Sequence, residues 1–132
     1  MKFTLIIQSA PIDSQSSATA LRFARTVLAK GHQIERLFFY RSGVQSANRL
    51  ALAPQDEPNL SRDWQAFITA HKLDAVVCIA AAIRRGVVNE SEANRYGVSG
   101  ENLSEGTELS GLGQLVTACV SADRVITFGG GL

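Results

Sequence analysis

Short apolar runs alternate along this chain with segments whose apolar residues recur at helical spacing. Residues 3–8, 34–40, 73–79 and 124–128 are rich in β-formers and predict four strands. Their apolar character is continuous rather than alternating, which is typical of strands that are covered on both faces.

Helical spacing of apolar positions predicts three longer helices. The first ends near residue 30, the second spans residues 60–71, and the third follows Ser110. Gly31 is placed to end the first helix, and Asn89 begins a short fourth helix that closes at Gly97. Residues 41–58 and 98–107 are predicted to be loops, the first with one helical turn near 44–50, and residues 129–132 a loose glycine tail. The apolar stripe of the helix after Ser110 is expected to consist of Leu112, Leu115, Val116, Cys119 and Val120.

The resulting order of elements, β-α-β-loop-α-β-α-α-β, predicts an α/β fold. We expect a parallel sheet of about four to five strands with helices on both faces. The 132 residues fit one domain, 1–132, since no linker, repeat or low-complexity segment divides them.

Composition narrows the class of protein. The hydrophobic content of 45% and charged content of 19% indicate a folded protein, and a net charge of +1 argues against a strongly basic nucleic-acid binder. Two cysteines are too few for a disulfide framework. The first apolar run ends at Gln8, too soon for a signal peptide, and no run is long enough to span a bilayer. We therefore expect a cytoplasmic protein without a membrane partner.

Cys78 is the candidate nucleophile. The third predicted strand places it at the strand's carboxyl end, where reaction sites of parallel α/β sheets lie. The start of a helix and the nearby Arg84 and Arg85 would favour a thiolate, which is the form that attacks sulfur. The alanines at 80–82 would leave room for a partner. The alternative is that Cys78 is a small buried hydrophobe, a common role of free cysteine.

Other chemistry-bearing residues have plainer explanations. Cys119 lies on an apolar helix stripe and is expected in the core. Arg84 and Arg85 either support a thiolate, dock an acidic partner, or form a solvated surface pair. His32 and His71 lack metal-ligand spacing, so no metal site is predicted.

Two loops resemble ligand-binding loops only weakly. Residues 9–17 follow the first strand and open a helix, where a phosphate would lie, but they contain no glycine. The Gly-Leu-Gly at 111–113 is too short for a dinucleotide fingerprint, and no strand is predicted before it. A phosphate- or nucleotide-binding module is therefore the weakest alternative, and no cofactor is predicted.

Four sequence blocks, taken together, match a known family. They are Phe-Phe-Tyr-Arg-Ser-Gly-Val at 38–44, Val-Cys-Ile-Ala-Ala-Ala-Ile-Arg-Arg-Gly-Val-Val at 77–88, Leu-Ser-Gly-Leu-Gly-Gln-Leu at 109–115 and Ala-Asp-Arg-Val at 122–125. In this order they resemble the DsrE-like sulfur-relay family. The combination of the cysteine–alanine–arginine block with Ser-Gly-Leu-Gly is much more specific than a lone cysteine.

The resemblance implies a flavodoxin-like α/β fold and a sulfurtransferase whose persulfide-forming residue maps onto Cys78. It implies a heterohexamer with two related small subunits, TusB-like and TusC-like, a TusA-like sulfur donor and a TusE-like acceptor. The sulfur would end in 2-thiouridine at the tRNA wobble position, with the tRNA itself handled by a later enzyme. Two alternatives stay open: a DsrE-type subunit in dissimilatory sulfur oxidation, and a non-catalytic structural subunit of such a complex.

Overall fold

Five strands form one parallel sheet in the computed structural model, which describes residues 1–130. The strands are β1 (Lys2–Ile7), β2 (Gln33–Phe39), β3 (Ala75–Cys78), β4 (Thr107–Ser110) and β5 (Arg124–Phe128). Their order in the sheet is β4-β3-β2-β1-β5, and every neighbouring pair is parallel. The predicted α/β fold with a parallel sheet is confirmed.

Five α-helices and one 3₁₀ helix connect these strands. They are α1 (Ser16–Ala29), the 3₁₀ helix Arg41–Ala47, α2 (Leu60–His71), α3 (Ile79–Arg84), α4 (Glu90–Tyr96) and α5 (Leu112–Ser121). The predicted caps of the short helix α4 are present: the Asn89 side chain accepts a hydrogen bond from the backbone N–H of Glu92, and Gly97 closes the helix at φ +69°. Within residues 1–130, no helix has the length and apolar character needed to cross a bilayer.

Helices cover both faces of the sheet, as predicted. The hydroxyl of Thr4 on β1 donates to the carbonyl of Ala118, so this side chain points toward α5. The preceding residue, Phe3, packs its ring edge-on against Phe23 of α1, on the opposite face. Because α1 and α2 are joined by a buried hydrogen bond from the Trp64 indole N–H to Ser17, they lie on one face and α5 lies on the other.

The strand β4 was not predicted, since its residues were assigned to a loop and a helix cap. Ser110 is the last residue of β4 rather than an N-cap, and Gly111 precedes α5 without a side-chain cap. A strand therefore does precede the Gly-Leu-Gly segment. β4 lies at the edge of the sheet and is only partly buried, with Glu108 exposed, so its sequence lacks the continuous apolar run that marked the other strands.

The predicted core face of α5 was wrong for three of its five residues, whereas Leu115 packs against the core and Cys119 is half-buried. Leu112, Val116 and Val120 are 49%, 63% and 81% exposed, while the fully buried residue of this helix is Ala118. The helix contains no charged residue that would define its solvent side. Its polar Gln114 instead faces the sheet, where its side-chain and backbone oxygens accept hydrogen bonds from Arg36 of β2.

Candidate functional site around Cys78

Cys78 lies where β3 ends and α3 begins. The strand ends at this residue, which has extended φ and ψ of −60° and 117°, and Ile79 is already helical because the alanine-rich segment that follows favours a helix. In the sheet, Cys78 is paired with Ser110, the last residue of β4. The predicted place of Cys78 at the carboxyl edge of the parallel sheet is therefore confirmed.

The thiol of Cys78 is covered in the isolated chain. Cys78 is only 3% exposed, although the thiolate hypothesis needs a sulfur that partners can reach. Of the three alanines, Ala81 and Ala82 are buried in the core, and only Ala80 is exposed. The expectation that the alanines leave room for a partner is thus wrong for two of them, because α3 turns these side chains inward to pack.

Arg84 and Arg85 lie at the other end of α3. A helix rises 1.5 Å per residue, so the backbone of Arg84 is about 9 Å along the axis from that of Cys78. Both side chains are exposed, and Arg85 donates from Nη1 to the carbonyl of Ala81 at 3.1 Å. This contact satisfies a carbonyl at the helix C-terminus, which a cation also favours electrostatically. The structure thus places both arginines at the surface, at the opposite end of α3 from Cys78.

Asn102 joins three segments near the end of α3 and was missed by the sequence analysis. Its side-chain N–H groups donate to Asn48 Oδ1 at 3.0 Å and to the carbonyl of Gly86 at 2.9 Å. Its side-chain oxygen accepts from the backbone N–H of Val88 at 2.8 Å, and its carbonyl accepts from the N–H of Arg49 at 2.8 Å. No local pattern marks such a residue, because its partners are distant in sequence.

An open cavity of about 630 Å³ lies between the three segments that Asn102 joins. We call it the α3 groove. Its lining comes from the end of α3 and the residues that follow it, from the loop after the 3₁₀ helix, and from the end of α4 with the loop beyond. Apolar side chains dominate it: Leu50, Ile83, Val88, Tyr96 and Val98. An ion pair between Arg49 and Glu101 lies at its margin.

The crevice between β1 and β5 is filled by the chain itself. This is where the strand order reverses and where nucleotides bind in open α/β sheets. The backbone of Gly129, at φ +81°, packs on the side chain of Ser9, and Gly130 packs on Gln8 in the same way. Added Cβ atoms would overlap these side chains. The tail is therefore not loose at 129–130, while residues 131–132 lie outside the described residues.

Cys119 and the two histidines do not join Cys78 in one site. Cys119 is half-buried on α5 rather than fully in the core. His32 Nδ1 lies 3.0 Å from the N-terminal nitrogen, and the exposed His71 packs its ring against Phe67. Among residues 1–130, no three His, Cys, Asp or Glu side chains are grouped so that they could hold a metal ion.

Comparison with known proteins identifies the family. The family model described as "DsrE/DsrF-like family" matches residues 1–128. The chain belongs to the DsrE/DsrF-like family. Its resemblance to sulfur-relay proteins, inferred from the four sequence blocks, is thereby confirmed.

Relatives within the DsrE/DsrF-like family carry the activity in their names. The chain is 52% identical over 130 residues to "Sulfurtransferase TusD homolog" of Pseudomonas aeruginosa, which covers 98% of each chain. It is 46% identical over 129 residues to a DsrE relative from Allochromatium vinosum, covering 98% of this chain and 99% of that one. These relatives confirm the expectation of a sulfurtransferase.

A solved structure of similar fold supports the DsrE-like architecture. The ychN protein from E. coli superposes with a TM-score of 0.73 over 97% of this chain and 99% of that one, at 24% identity. At this identity the similarity concerns the fold alone. It confirms the predicted DsrE-like fold and leaves the role of Cys78 to be argued from the site.

Proposed function

We propose that this chain is the TusD-type sulfur carrier of a relay in which Cys78 takes up persulfide sulfur. The donor is a TusA-like protein, the acceptor is a TusE-like protein, and the sulfur is destined for 2-thiouridine at the tRNA wobble position. The 52% identity to a TusD homolog over nearly the whole chain supports this pathway. The observation that carries the mechanism is the position of Cys78 at the junction of β3 and α3, on the carboxyl edge of the sheet.

The transfer is two successive exchanges at sulfur and needs no cofactor. The Cys78 thiolate attacks the outer sulfur of a donor persulfide, forming one S–S bond while the donor's S–S bond breaks. The donor leaves as a thiolate, and Cys78 becomes the persulfide. An acceptor thiolate then attacks the outer sulfur and releases Cys78 as a thiolate. The number of S–S bonds is conserved in each step, so no external oxidant or reductant is consumed.

The burial of Cys78 places a condition on this mechanism. A sulfur in a residue that is 3% exposed cannot meet a partner's persulfide unless neighbouring groups move. The element that directly follows Cys78 is α3, a helix of six residues. A segment of a domain can open locally at a lower free-energy cost than unfolding of the whole domain, although here the opening must withdraw the buried Ala81 and Ala82 from the core. We therefore assign access to a local opening at α3 that partner binding promotes.

Arg84 and Arg85 fit the role of partner docking within this proposal. Their guanidinium groups are exposed at the end of α3, about 9 Å along the helix from Cys78, where an acidic surface can reach them. Replacing both with glutamine should slow transfer from and to protein partners. Loading of Cys78 from a small uncharged persulfide should change little, whereas a thiolate-supporting role would slow both reactions.

A structural subunit with an inert Cys78 is the second candidate function, and the 3% exposure of that residue favours it. The assembly we propose, a heterohexamer with TusB-like and TusC-like subunits, would accommodate either role. A DsrE-type role in sulfur oxidation has support from the 46% identity to the Allochromatium vinosum relative. Neighbouring genes for a dissimilatory sulfite reductase would favour that pathway over tRNA thiolation.

Mass spectrometry of the persulfide-loaded protein tests the role of Cys78. The parent protein, incubated with a persulfide donor, should gain the mass of one sulfur atom, and a thiol reductant should remove it. Cys78→Ser should gain none, while the matched control Cys119→Ser should load like the parent. If Cys78→Ser loads as well as the parent, the chain is not a carrier through Cys78 and the structural alternative stands. Co-expression with the two related subunits tests the heterohexamer by the mass of the purified complex.

A further inference from the structure

We infer that the α3 groove is a docking site for an extended segment of a partner protein that carries apolar side chains followed by carboxylates. This inference rests on the proposed function, because it assigns to the carrier a surface for the partner that exchanges sulfur with Cys78. The inference adds to the proposed function a binding surface that is separate from the reacting sulfur of Cys78. Four features of the groove carry it: its shape, its lining, its unpaired charges and its distance from Cys78.

The groove is held open before any partner binds. Asn102 forms hydrogen bonds to Asn48, Gly86 and Val88, which belong to two of the three wall segments, and Asn102 itself lies in the third. The ion pair between Arg49 and Glu101 adds a second link between the walls. A preformed site saves the ordering cost that a flexible loop would add to binding. These bonds between the walls therefore indicate a preformed binding site and not a gap left by a poorly packed loop.

The lining is apolar and exposed to solvent. Leu50, Tyr96 and Val98 are 60%, 55% and 52% exposed, and they come from two segments that are far apart in sequence. Ile83 and Val88 complete the apolar floor. Exposed apolar side chains that converge on one concave surface are typical of interaction sites. The volume of about 630 Å³ holds several side chains, and because the groove is open it admits a chain passing through.

The charges around the groove favour an acidic occupant. The wall segments, taken as residues 48–50, 83–88 and 90–102, carry four arginines and three glutamates. Arg49 pairs with Glu101 at 3.8 Å, and Arg95 lies 3.9 Å from Glu92. The charges left outside these pairs are the two arginines at 84 and 85 and the glutamate at 90, a net positive balance. Arg84 and Arg85 do not line the groove themselves, but both are exposed and lie in sequence between its lining residues 83 and 86, so we place the carboxylates of the occupant beyond the groove, next to them.

The distance to Cys78 matches a segment that ends in a reactive thiol. The groove begins at Ile83, five residues after Cys78, which corresponds to about 7.5 Å along α3. Two to three extended residues span that distance. A partner anchored in the groove would hold its thiol or persulfide beside Cys78 at a high effective concentration. Binding against α3 also offers a way to promote the local opening that exposes the sulfur.

Fluorescence anisotropy with labelled synthetic peptides tests the proposal independently of sulfur chemistry. The probe is a twelve-residue peptide with leucine and phenylalanine followed by two glutamates, compared with versions in which lysines replace the glutamates or serines replace the apolar residues. The parent protein should bind the first peptide at least about tenfold more tightly than the other two, as expected for losing one anchor contact. Arg84→Glu combined with Arg85→Glu should reverse the preference between the acidic and basic peptides.

Variants of the lining separate the groove from the rest of the surface. Val98→Asp should weaken binding of the acidic peptide about tenfold or more, and Tyr96→Ser provides a second variant should the first fold poorly. The matched control is Val120→Asp on α5, another exposed valine away from the groove, which should bind like the parent. Equal binding of all three peptides, or equal weakening by the control, would overturn the docking site. Persulfide loading of Cys78 is measured separately, so a failed groove and a failed carrier give different results.

Discussion

Replacement of Asn102 should be among the costliest changes outside the apolar core. Its side chain forms three hydrogen bonds, two as donor and one as acceptor, at 2.8 to 3.0 Å. The residue is 9% exposed, so water cannot easily take the place of all three partners. The same three bonds hold the walls of the α3 groove, which makes stability and peptide binding depend on one side chain.

The magnitude follows from counting what each substitution removes. Asn102→Ala deletes all three bonds, each worth about 1 kcal/mol net, and leaves the Val88 N–H and the Gly86 carbonyl partly unpaired. We expect the free energy of unfolding to fall by about 2–4 kcal/mol. Asn102→Asp keeps the acceptor for Val88 but points a carboxylate oxygen at two acceptors, Asn48 Oδ1 and the Gly86 carbonyl. It should therefore destabilise at least as much as alanine at neutral pH.

Urea unfolding followed by circular dichroism measures both values, with the free energy taken by linear extrapolation. The control is Asn94→Ala, an exposed asparagine in the middle of α4, where alanine should be neutral or stabilising by up to about 0.7 kcal/mol. A loss below about 1 kcal/mol for Asn102→Ala would show that Asn102 does not hold the three segments together. A more stable aspartate than alanine variant would mean that the donors of Asn102 are not engaged as described.

Two further predictions concern close contacts in the fold. A Cβ on Gly43 would overlap the carbonyl of Ile7, so Gly43→Ala should destabilise by more than about 2 kcal/mol in urea unfolding. Gly113→Ala in α5, which meets nothing within 4 Å, should be neutral or stabilising by up to about 1 kcal/mol, and equal effects of the two would contradict the overlap. Ser17→Ala should cost about 1–3 kcal/mol because the buried Trp64 N–H loses its acceptor. Trp64 is the single tryptophan, so its near-ultraviolet circular dichroism and its fluorescence during urea unfolding report on this site. A Ser17→Ala variant that matches the parent in both measurements would contradict the hydrogen bond.

Three of the four strands that the sequence predicted, β1 to β3, lie inside the sheet and have buried stretches, whereas β5, which was also predicted, is an edge strand with Val125 40% exposed. Successive residues of a strand point to opposite faces, and both Ile6 (8% exposed) and Ile7 (0%) of β1 and both Phe38 (0%) and Phe39 (1%) of β2 are buried, so burial on both faces leaves a continuous apolar run. Helix ends were also predicted correctly where a single residue supplies the backbone conformation that ends the helix. Gly31 takes a φ of +83° after α1, which only glycine adopts without strain.

The parts that sequence could not predict depend on contacts between distant segments. The side of α5 that faces the sheet carries the bonds of Gln114 to Arg36 and of the Ala118 carbonyl to Thr4, and no helical period in an uncharged helix reveals those distant partners. The α3 groove is likewise invisible in any single window, because Leu50 and Val98 are brought together by Asn102. The sequence can therefore predict where a residue lies along a strand, but not the shape of a cavity between loops that are distant in sequence.

The strand β4, which the sequence did not predict, changes the position of Cys78 within the sheet. Without β4, β3 would be the edge of the sheet, because β3 pairs only with β2 on its other side. With β4 paired along all four residues of β3, from Ala75 to Cys78, the strand that carries the thiol is an interior strand, and Cys78 belongs to the buried apolar cluster. The burial of the proposed nucleophile therefore reflects both its interior strand and the core that its neighbours in sequence, Val77 and Ala81, share with it. On the proposed mechanism, the sulfur stays covered until a partner moves α3, and recognition of the partner then controls the chemistry.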